Sequence, residues 1–557
     1  MPKAKKTNQL LQFFDNHILL FLAALLLVFI PLYPKIPLWS PIEEYIVRVR
    51  LEDLLIAIAV PITLIQILRK KARFEPVIIK LFAAYALVGL LSVLSAVFIT
   101  KTVPLELLHL GKTMLHYFRY LEYFSVFLVT FAAIKNRRDL VKLLVIILST
   151  LAAIFIYGYM QKFFYWPVWS TMNREFSKGI KLYLTEHARI QSTFAGHYDL
   201  AAYLVIILPV IFSLGLTLKK YYKWLAYIIF FCGSWLMVMS ASRIPFFAYI
   251  VACGVVILLV GWFKKTWKDR ALSWLTHSLG YGLMLFFLLY YFGQGMLDRL
   301  SNVLSTSDRP VNLSEVLDET LEGLPIPNSD ELYAWLPKLD GVPASSQPAP
   351  TENDNLLAQV SAPSDQPPTT VNPANRPRDV YEDIPEPVET EVTLPDGSKE
   401  TIVLHQPRTF SECALKYELS LCIRLESLWP WAIQSFQHNP VLGTGYATLN
   451  KQFVNEFTFA DGTDNNYLRT LGETGILGFL SFYGIIIYIL YSSVRMLSKL
   501  KNPLALAVVL GFTAGSIGIL INALYIDVFA ASKVAYTYWL MAGIIMAIKH
   551  NELQTTA

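Results

Sequence analysis

The sequence predicts an all-α integral membrane protein of about twelve transmembrane helices with one large loop outside the cytoplasm. Hydrophobic residues make up 54% of the 557 positions and charged residues only 16%, whereas soluble domains carry about 25% charged residues. Apolar runs close to the roughly 20 residues of a membrane-spanning helix recur along the chain. Short basic connections follow every second run, as they do on the cytoplasmic side of membrane proteins.

Twelve apolar segments are the predicted spans. They cover residues 18–34, 51–68, 77–99, 114–134, 140–157, 200–218, 224–240, 245–263, 272–292, 476–498, 504–524 and 534–548. Lysine and arginine cluster before the first segment and after the second, fourth, sixth, eighth, tenth and twelfth. Because such clusters stay in the cytoplasm, both termini are predicted to be cytoplasmic. A missed span would break this alternation, so the alternation also supports the count.

The predicted spans divide the chain into three regions. Residues 1–292 carry nine spans, and residues 475–557 carry the last three with a cytoplasmic tail. Residues 293–474 form the predicted extracytoplasmic loop, whose segment 424–474 carries polar motifs. Within this loop, residues 340–378 are rich in Pro, Ser, Asn and Gln and predict a disordered insert. Alternating residues around an Asp-Gly turn predict a small β-hairpin at 390–404.

The four cysteines fall into two pairs. Cys232 and Cys253 lie in apolar runs and are expected to be small core residues. Cys413 and Cys422 lie nine positions apart in the predicted loop. Outside the cytoplasm they either form a disulfide or remain free thiols, and their spacing leaves both alternatives open.

Two arginines stand at the predicted outer ends of spans. Arg243 lies in a turn of a few residues between two apolar runs. A guanidinium stays protonated and offers paired donors that suit a phosphate. The alternative is an interfacial arginine that reaches toward lipid headgroups. Arg189 precedes the sixth span, and on its position alone it is a solvated loop arginine.

His197 and Asp199 follow Arg189 in the same polar string. His197 is a candidate ligand or acid–base group. A tetrahedral metal site needs three or four ligands, and the sequence shows no such set, so no metal is predicted. The chain also lacks a P-loop and a Rossmann fingerprint, and no cofactor is expected.

Asp464, Asn465 and Asn466 precede the tenth span. One interpretation is a helix N-cap. The other is substrate binding or catalysis, in which the Asp464 carboxylate acts as a general base on a hydroxyl within about 3 Å. The two roles are compatible.

Two strings in this region resemble the signature of the O-antigen ligase and O-antigen polymerase superfamily. The first is His-Asn-Pro-Val-Leu-Gly-Thr-Gly-Tyr at 438–446, and the second is Asp-Asn-Asn-Tyr-Leu-Arg-Thr-Leu-Gly-Glu-Thr-Gly-Ile-Leu-Gly at 464–478. The Ser-Arg pair at Arg243 and the Arg-x-x-Ser-Thr-Phe-x-Gly string at Arg189 are also similar to the family's. The family pattern has His where this chain has Asp464, and that difference fits its polymerase-like members.

The resemblance implies a fold and a set of roles. The fold is a multi-span glycosyltransferase bundle of the GT-C type. Diphosphate binding is expected at Arg189, Arg243 and Arg424, and catalysis at Asp464 and Glu473. Further candidate site residues are His197, Asp199, His438, Asn465 and Tyr467. The implied reaction is inverting and independent of metal.

The implied activity moves a glycan from a polyprenyl diphosphate carrier to an acceptor hydroxyl at the outer face of the bacterial cytoplasmic membrane. The acceptor is a glycan, a glycolipid or a protein, and no nucleic-acid partner is predicted. A repeat-unit polymerase is the alternative within the superfamily. A transporter of lipid-linked glycans is the alternative from another class, but transporters often carry broken helices at mid-membrane. Here the ionisable residues gather at one predicted surface, which favours an enzyme.

Overall fold

A computed structural model describes residues 2–40, 48–72, 74–172, 176–184, 188–304, 312–321, 377, 386–393, 399–406, 409–449 and 462–554. The chain forms two compact units. The first comprises Met1–Arg299 with Leu428–Ala557, and the second comprises Leu300–Ser427. The described residues between 428 and 474, predicted as part of the outer loop, thus fall in the same unit as the long helices.

The first unit is helical wherever it forms regular elements that the structure describes. Its helices are α1 (Pro2–Leu32), α2 (Leu51–Leu68), α3 (Pro76–Phe98), α4 (Leu107–Ala133), α5 (Arg137–Phe164), α6 (His197–Thr217), α7 (Tyr221–Met239), α8 (Arg243–Trp262), α9 (Trp267–Phe292), α14 (Trp429–His438), α15 (Asn466–Leu497), α16 (Pro503–Asn522) and α17 (Ser532–Gln554), with a 3₁₀ turn at Phe176–Lys178. The helix α10 (Gln294–Leu304) runs across the boundary between the units.

Each predicted span falls on one of the long helices. In the part of the chain that the structure describes, nine helices are long and apolar enough to cross a membrane, and His17–Leu32 is a shorter apolar stretch. This confirms a nearly all-helical, multi-span membrane protein. The helices α4 and α17 are not among the nine, because charged side chains such as Lys112, Arg119 and Lys533 lower their hydropathy. The count of twelve stays a prediction.

The helices α6 and α16 lie at the centre of the bundle. Their apolar windows are 89% and 72% buried, compared with 28% for α2 and α3 and 22% for α9. A Cβ on Gly511 of α16 would lie 2.3 Å from the Cα of Val210 on α6. The two backbones approach this closely because small residues line the contact.

Ionic contacts join positions next to the predicted spans that the sequence assigns to one side. Arg69 after α2 pairs with Asp15 of α1 at 2.7 Å, and Lys549 of α17 lies 3.6 Å from Glu75 before α3. At the opposite end of the bundle α6, α8, α15 and α17 begin. We call this second end, which carries residues 189–199, 240–243, 438–449 and 462–466, the motif end.

The second unit contains α11 (Leu313–Leu321), β1 (Glu386–Thr393), β2 (Lys399–Gln406), α12 (Glu412–Tyr417) and α13 (Leu419–Ile423). The strands are antiparallel and pair Glu386 with Gln406 and Thr393 with Lys399, at the position of the predicted hairpin. The predicted disordered insert lies outside the described residues except for position 377. Cys413 of α12 and Cys422 of α13 form a disulfide with their Cα atoms 5.8 Å apart.

Candidate active site

The segment that carries Arg189 is a buried, tightly held loop. Residues 190–197 are all buried. Ser192 has a φ of +51°, which non-glycine residues rarely adopt. Its hydroxyl donates to the Ile154 carbonyl at 2.8 Å and its carbonyl accepts from Gln161 Nε2 at 2.8 Å, both on α5. These contacts fix the path of the chain between Arg189 and α6.

Arg189 itself is half-buried and pairs with His197. Arg189 Nη1 lies 2.5 Å from His197 Nε2 and 3.4 Å from the Tyr198 hydroxyl. A guanidinium has only donors, so His197 Nε2 must accept and carries no proton in this arrangement. Arg189 is therefore not a freely solvated loop arginine.

Arg243 is the first residue of α8, at the motif end. It follows a tight turn in which Ala241 has a φ of +45°. The backbone N–H of Ile190 donates to the carbonyl of Met239 at the end of α7, at 3.3 Å. This bond brings the Arg189 and Arg243 strings side by side. The helices α6 and α8 also pack together and both begin here, so the positive ends of two helix dipoles lie near both arginines.

The second motif string contains a break in α15. Gly475 has a φ of +65° and a ψ of −168°, which interrupts the helix. In an unbroken helix the N–H groups of Ile476 and Leu477 would bond to the carbonyls of Gly472 and Glu473. The break directs all four groups toward the loop after α14, which contains the first motif string.

Four backbone hydrogen bonds join the loop to the broken helix. Ile476 donates to Pro440 at 2.8 Å, Leu477 to Val441 at 3.3 Å, Thr444 to Gly472 at 3.0 Å and Gly445 to Glu473 at 2.9 Å. A Cβ on Gly443 would lie 2.4 Å from the Glu473 carbonyl carbon, and one on Gly475 would lie 2.4 Å from the Val441 carbonyl carbon. The two strings therefore form one structural unit whose close backbone contact requires glycine at both positions.

Asp464 lies immediately before α15 and is half-buried. Its φ is +51°, a conformation that costs of the order of 1–3 kcal/mol in a non-glycine residue. Asp527 lies in the connection between α16 and α17. Its carboxylate accepts from the backbone N–H groups of the two residues that flank Asp464. The distances are 2.9 Å from Thr463 and 3.2 Å from Asn465. These bonds support the unusual backbone at Asp464.

Asn465 and Tyr467 have structural contacts. The Asn465 side chain accepts from the N–H groups of Tyr467 and Leu468, both at 3.0 Å, and so caps α15. The Tyr467 hydroxyl donates to the Leu520 carbonyl at 2.8 Å, and its ring stacks on Tyr483. The capping interpretation of the motif therefore applies to Asn465.

Glu473 is 1% exposed and lies deeper than Asp464 in a buried ionic chain. Its Oε1 accepts from the N–H of Ala447 at 3.1 Å and lies 3.3 Å from Arg469 Nε. Arg469 in turn reaches Asp527 at 3.1 Å. These contacts indicate that Glu473 anchors the loop after α14.

A row of polar residues on α4, which includes His116, Arg119 and Glu122, faces the interior of the bundle. Arg119 Nη1 contacts Asp53 at 2.5 Å, Glu122 at 3.0 Å and the Tyr536 hydroxyl at 3.1 Å. Arg469 is among the charges that act on His116 of this row. Arg119 and its partners therefore form a second, half-buried ionic cluster.

The remaining predicted residues, His438, Asp199 and Arg424, lie on three different elements. His438 is the last residue of α14 and is exposed. Asp199 lies in the first turn of α6, where its electrostatic partners are Lys35, Lys533 and Arg50. Arg424 belongs to the second unit, in a π-helical turn (Arg424–Leu428), and donates to the carbonyl and the hydroxyl of Ser420.

No three His, Cys, Asp or Glu side chains come together as a metal ion would need, within the residues that the structure describes. Metal independence of the reaction stays a prediction. Arg424, similarly, stays only a predicted ligand of the diphosphate.

Sequence reasoning missed Arg469, Asp527, Lys533 and Lys35. Arg469 stands four residues before Glu473, a spacing that pairs charges on a helix. Asp527 and Lys533 lie in or next to a short connection between two apolar runs, where a charge often has a functional role. These signals are present in the sequence, although the partners of each residue come from distant segments.

These features define a class of protein: a multi-span membrane protein with buried and half-buried ionic groups gathered at one end of its bundle. Residues 418–483 match the family model described as O-Antigen ligase. The match covers α13, α14, the loop that follows α14 and carries the first motif string (the motif loop, residues 439–449), and the first half of α15. It confirms the resemblance to the O-antigen ligase superfamily. The comparison with curated proteins gives no match. The family match and the apolar helices together indicate a multi-pass bacterial membrane protein with ligase- or polymerase-like function.

Proposed function

We propose that this protein is a glycosyltransferase that moves a glycan from a polyprenyl diphosphate to an acceptor hydroxyl at the outer face of the cytoplasmic membrane. The observation that carries the proposal is the bond between Ile190 N–H and the Met239 carbonyl, 3.3 Å long. It places the Arg189 and Arg243 strings together where α6 and α8 begin. In this proposal an anion bound here is held by both guanidinium groups and by both helix N-termini.

In this proposal the motif end holds the diphosphate of the donor and the isoprenoid tail lies between helices in the membrane. Arg189 and Arg243 stabilise the negative charge that develops on the diphosphate as the glycosidic bond breaks. When the donor binds, Arg189 exchanges its contact with His197 for a contact with a phosphate oxygen. The leaving group is the carrier diphosphate, so the reaction needs no nucleotide.

Asp464 is the proposed general base. The acceptor hydroxyl oxygen attacks the anomeric carbon, its proton passes to the Asp464 carboxylate, and the bond from that carbon to the diphosphate oxygen breaks. Attack opposite the leaving group inverts the anomeric centre. Asp527 holds the backbone on both sides of this carboxylate. Glu473 acts on this site through Arg469 and the motif loop rather than by touching substrate.

A repeat-unit polymerase is the second candidate, and Asp464 is the observation that favours it. The ligase pattern has His at this position. In a polymerase the acceptor is another carrier-linked glycan rather than a lipid or protein at the end of the pathway.

The test is transfer in vitro with purified protein, a defined lipid-linked glycan and separate acceptors, with and without EDTA. We expect Asp464→Asn to lower kcat at least about a hundredfold, the range of general base catalysis. Asp269→Asn, at the opposite end of the bundle, is the matched control and should retain activity. Full activity of the Asp464 variant would exclude its role as base, and loss of activity in EDTA would contradict metal independence.

Product analysis separates the candidate functions. Carrier-linked polymer formed from single units indicates a polymerase. Transfer of a finished chain to another acceptor indicates a ligase. Movement of donor across a vesicle membrane without any new glycosidic bond would support the transporter alternative and would overturn the proposal.

A further inference from the structure

Lys533 is a buried lysine whose direct hydrogen bonds all go to backbone carbonyls. It lies at the start of α17 and is 1% exposed. Its ammonium donates to Thr193 at 2.7 Å, Tyr33 at 2.7 Å and Pro31 at 2.9 Å. These three bonds use all the donors of an ammonium group. The Nζ atom also lies 4.9 Å from the centre of the Phe194 ring, within range of a cation–π interaction.

Two of these carbonyls belong to the end of α1. The last carbonyls of a helix lack partners within it, and the negative end of the helix dipole favours a cation there. Thr193 Oγ1 donates to the same Pro31 carbonyl at 2.6 Å. Lys533 therefore ties the loop that follows Arg189 to the ends of α1 and α17.

The charged groups around Lys533 explain how it stays buried. Its electrostatic partners are the cations Lys35 and Arg50 and the anions Glu52 and Asp199. Lys35 already pairs with Glu52 at 2.6 Å, with exposed fractions of 3% and 0%. Glu52, which Lys533 shares with Lys35, and Asp199 are the two anions that act on Lys533. A buried ammonium is costly to desolvate, and the three carbonyl bonds and these two anions offset that cost.

We propose that Lys533 is a positioning residue that holds the loop between Arg189 and His197 in the shape that binds the diphosphate of the donor. The proposal rests on the proposed function, because it assigns the donor site to Arg189. Lys533 does not touch the donor. It acts through the Thr193 carbonyl, four residues from Arg189 and four from His197.

The test is a double-mutant cycle between Lys533→Met and Arg189→Ala, measured as the KM for donor and the KM for acceptor. Loss of hydrogen bonds from a charged group should raise the donor KM by about tenfold. The acceptor KM should stay within about twofold. If Lys533 acts through the loop between Arg189 and His197, the donor KM of the double variant should be no more than about twofold higher than that of Arg189→Ala alone.

Lys549→Met is the matched control, because Lys549 lies on the same helix at the opposite end and pairs with Glu75. It should leave both KM values unchanged. Thr193→Val is the milder second variant, since it removes only the hydroxyl bond to Pro31, and it should raise the donor KM in the same direction. It keeps the proposal testable if Lys533→Met does not fold.

The outcomes separate the two claims. If Arg189→Ala leaves the donor KM unchanged, the proposed donor site fails. If Arg189→Ala raises the donor KM, the donor site stands. The positioning role of Lys533 is then overturned if Lys533→Met or Thr193→Val leaves the donor KM unchanged, or if its effect on the donor KM multiplies the effect of Arg189→Ala in the double variant.

Discussion

Arg469 Nη1 donates to Asp527 Oδ2 at 3.1 Å, and the two side chains are only 6% and 12% exposed. The pair joins the helix that carries the motif to the connection between α16 and α17. Through Asp527 it also holds the two amides that flank Asp464. The backbone at the proposed base is thus supported by a carboxylate from another part of the chain.

Replacing Asp527 with Ala should destabilise the protein. The change removes both amide contacts and leaves Arg469 with one fewer anion, and removing one partner of a buried ion pair costs about 3–5 kcal/mol. The unfolding midpoint of the purified protein in detergent measures this. Asp269→Ala, an exposed carboxylate at the opposite end, should change it far less. Equal shifts for the two variants would show that Asp527 has no special support role.

Gly443 and Gly475 should not tolerate alanine. Both have positive φ, and an added Cβ at either would lie 2.4 Å from a backbone carbon of the other string. We expect Gly443→Ala and Gly475→Ala to lower thermal stability and activity strongly, because neither backbone can move without breaking the four bonds between them. Gly484, on the same helix as Gly475, has open space where a Cβ would be placed. Gly484→Ala should be neutral or slightly stabilising, and a cost as large as that of Gly475→Ala would refute this explanation of the motif.

The disulfide between Cys413 and Cys422 predicts a thiol count. Denatured but unreduced protein should expose two thiols, Cys232 and Cys253, and reduced protein should expose four. Because disulfides persist outside the cytoplasm, this result in protein from cells would also place the second unit there. The variant Cys413→Ser is the control and should show three thiols before and after reduction. Four thiols in unreduced wild-type protein would contradict both the disulfide and the location of the second unit outside the cytoplasm.

The helical bundle followed from the sequence because apolar length and the alternation of basic connections are local signals. The predicted span 476–498 begins just after the break at Gly475. Residues 428–474 are harder to place from the sequence, since they are polar and the sequence predicts them as part of the outer loop. The structure places the described residues of this stretch in the same unit as the long helices, because four backbone bonds hold residues 440–445 against α15.

The site was only partly visible from the sequence. Arg189, Arg243 and Asp464 stand out as ionisable residues next to apolar runs. Their supports do not, because Asp527 is 63 residues from Asp464 and Lys533 is 340 residues from Thr193. Glu473 fits a catalytic motif in the sequence, whereas its buried contacts with Arg469 and Ala447 favour a role in supporting the site. Local patterns identify exposed chemistry more readily than the distant groups that hold it in place.

The most direct measurement is binding of a polyprenyl diphosphate to the purified protein, compared among wild type, Arg189→Ala, Arg243→Ala and Arg270→Ala. Arg270 lies at the opposite end of the bundle and is the matched control. The account predicts that each of the first two substitutions weakens binding at least about tenfold, the loss of one charge-assisted contact to phosphate, and that Arg270→Ala leaves binding unchanged. Wild-type affinity in both the Arg189 and Arg243 variants would contradict the donor site at the motif end.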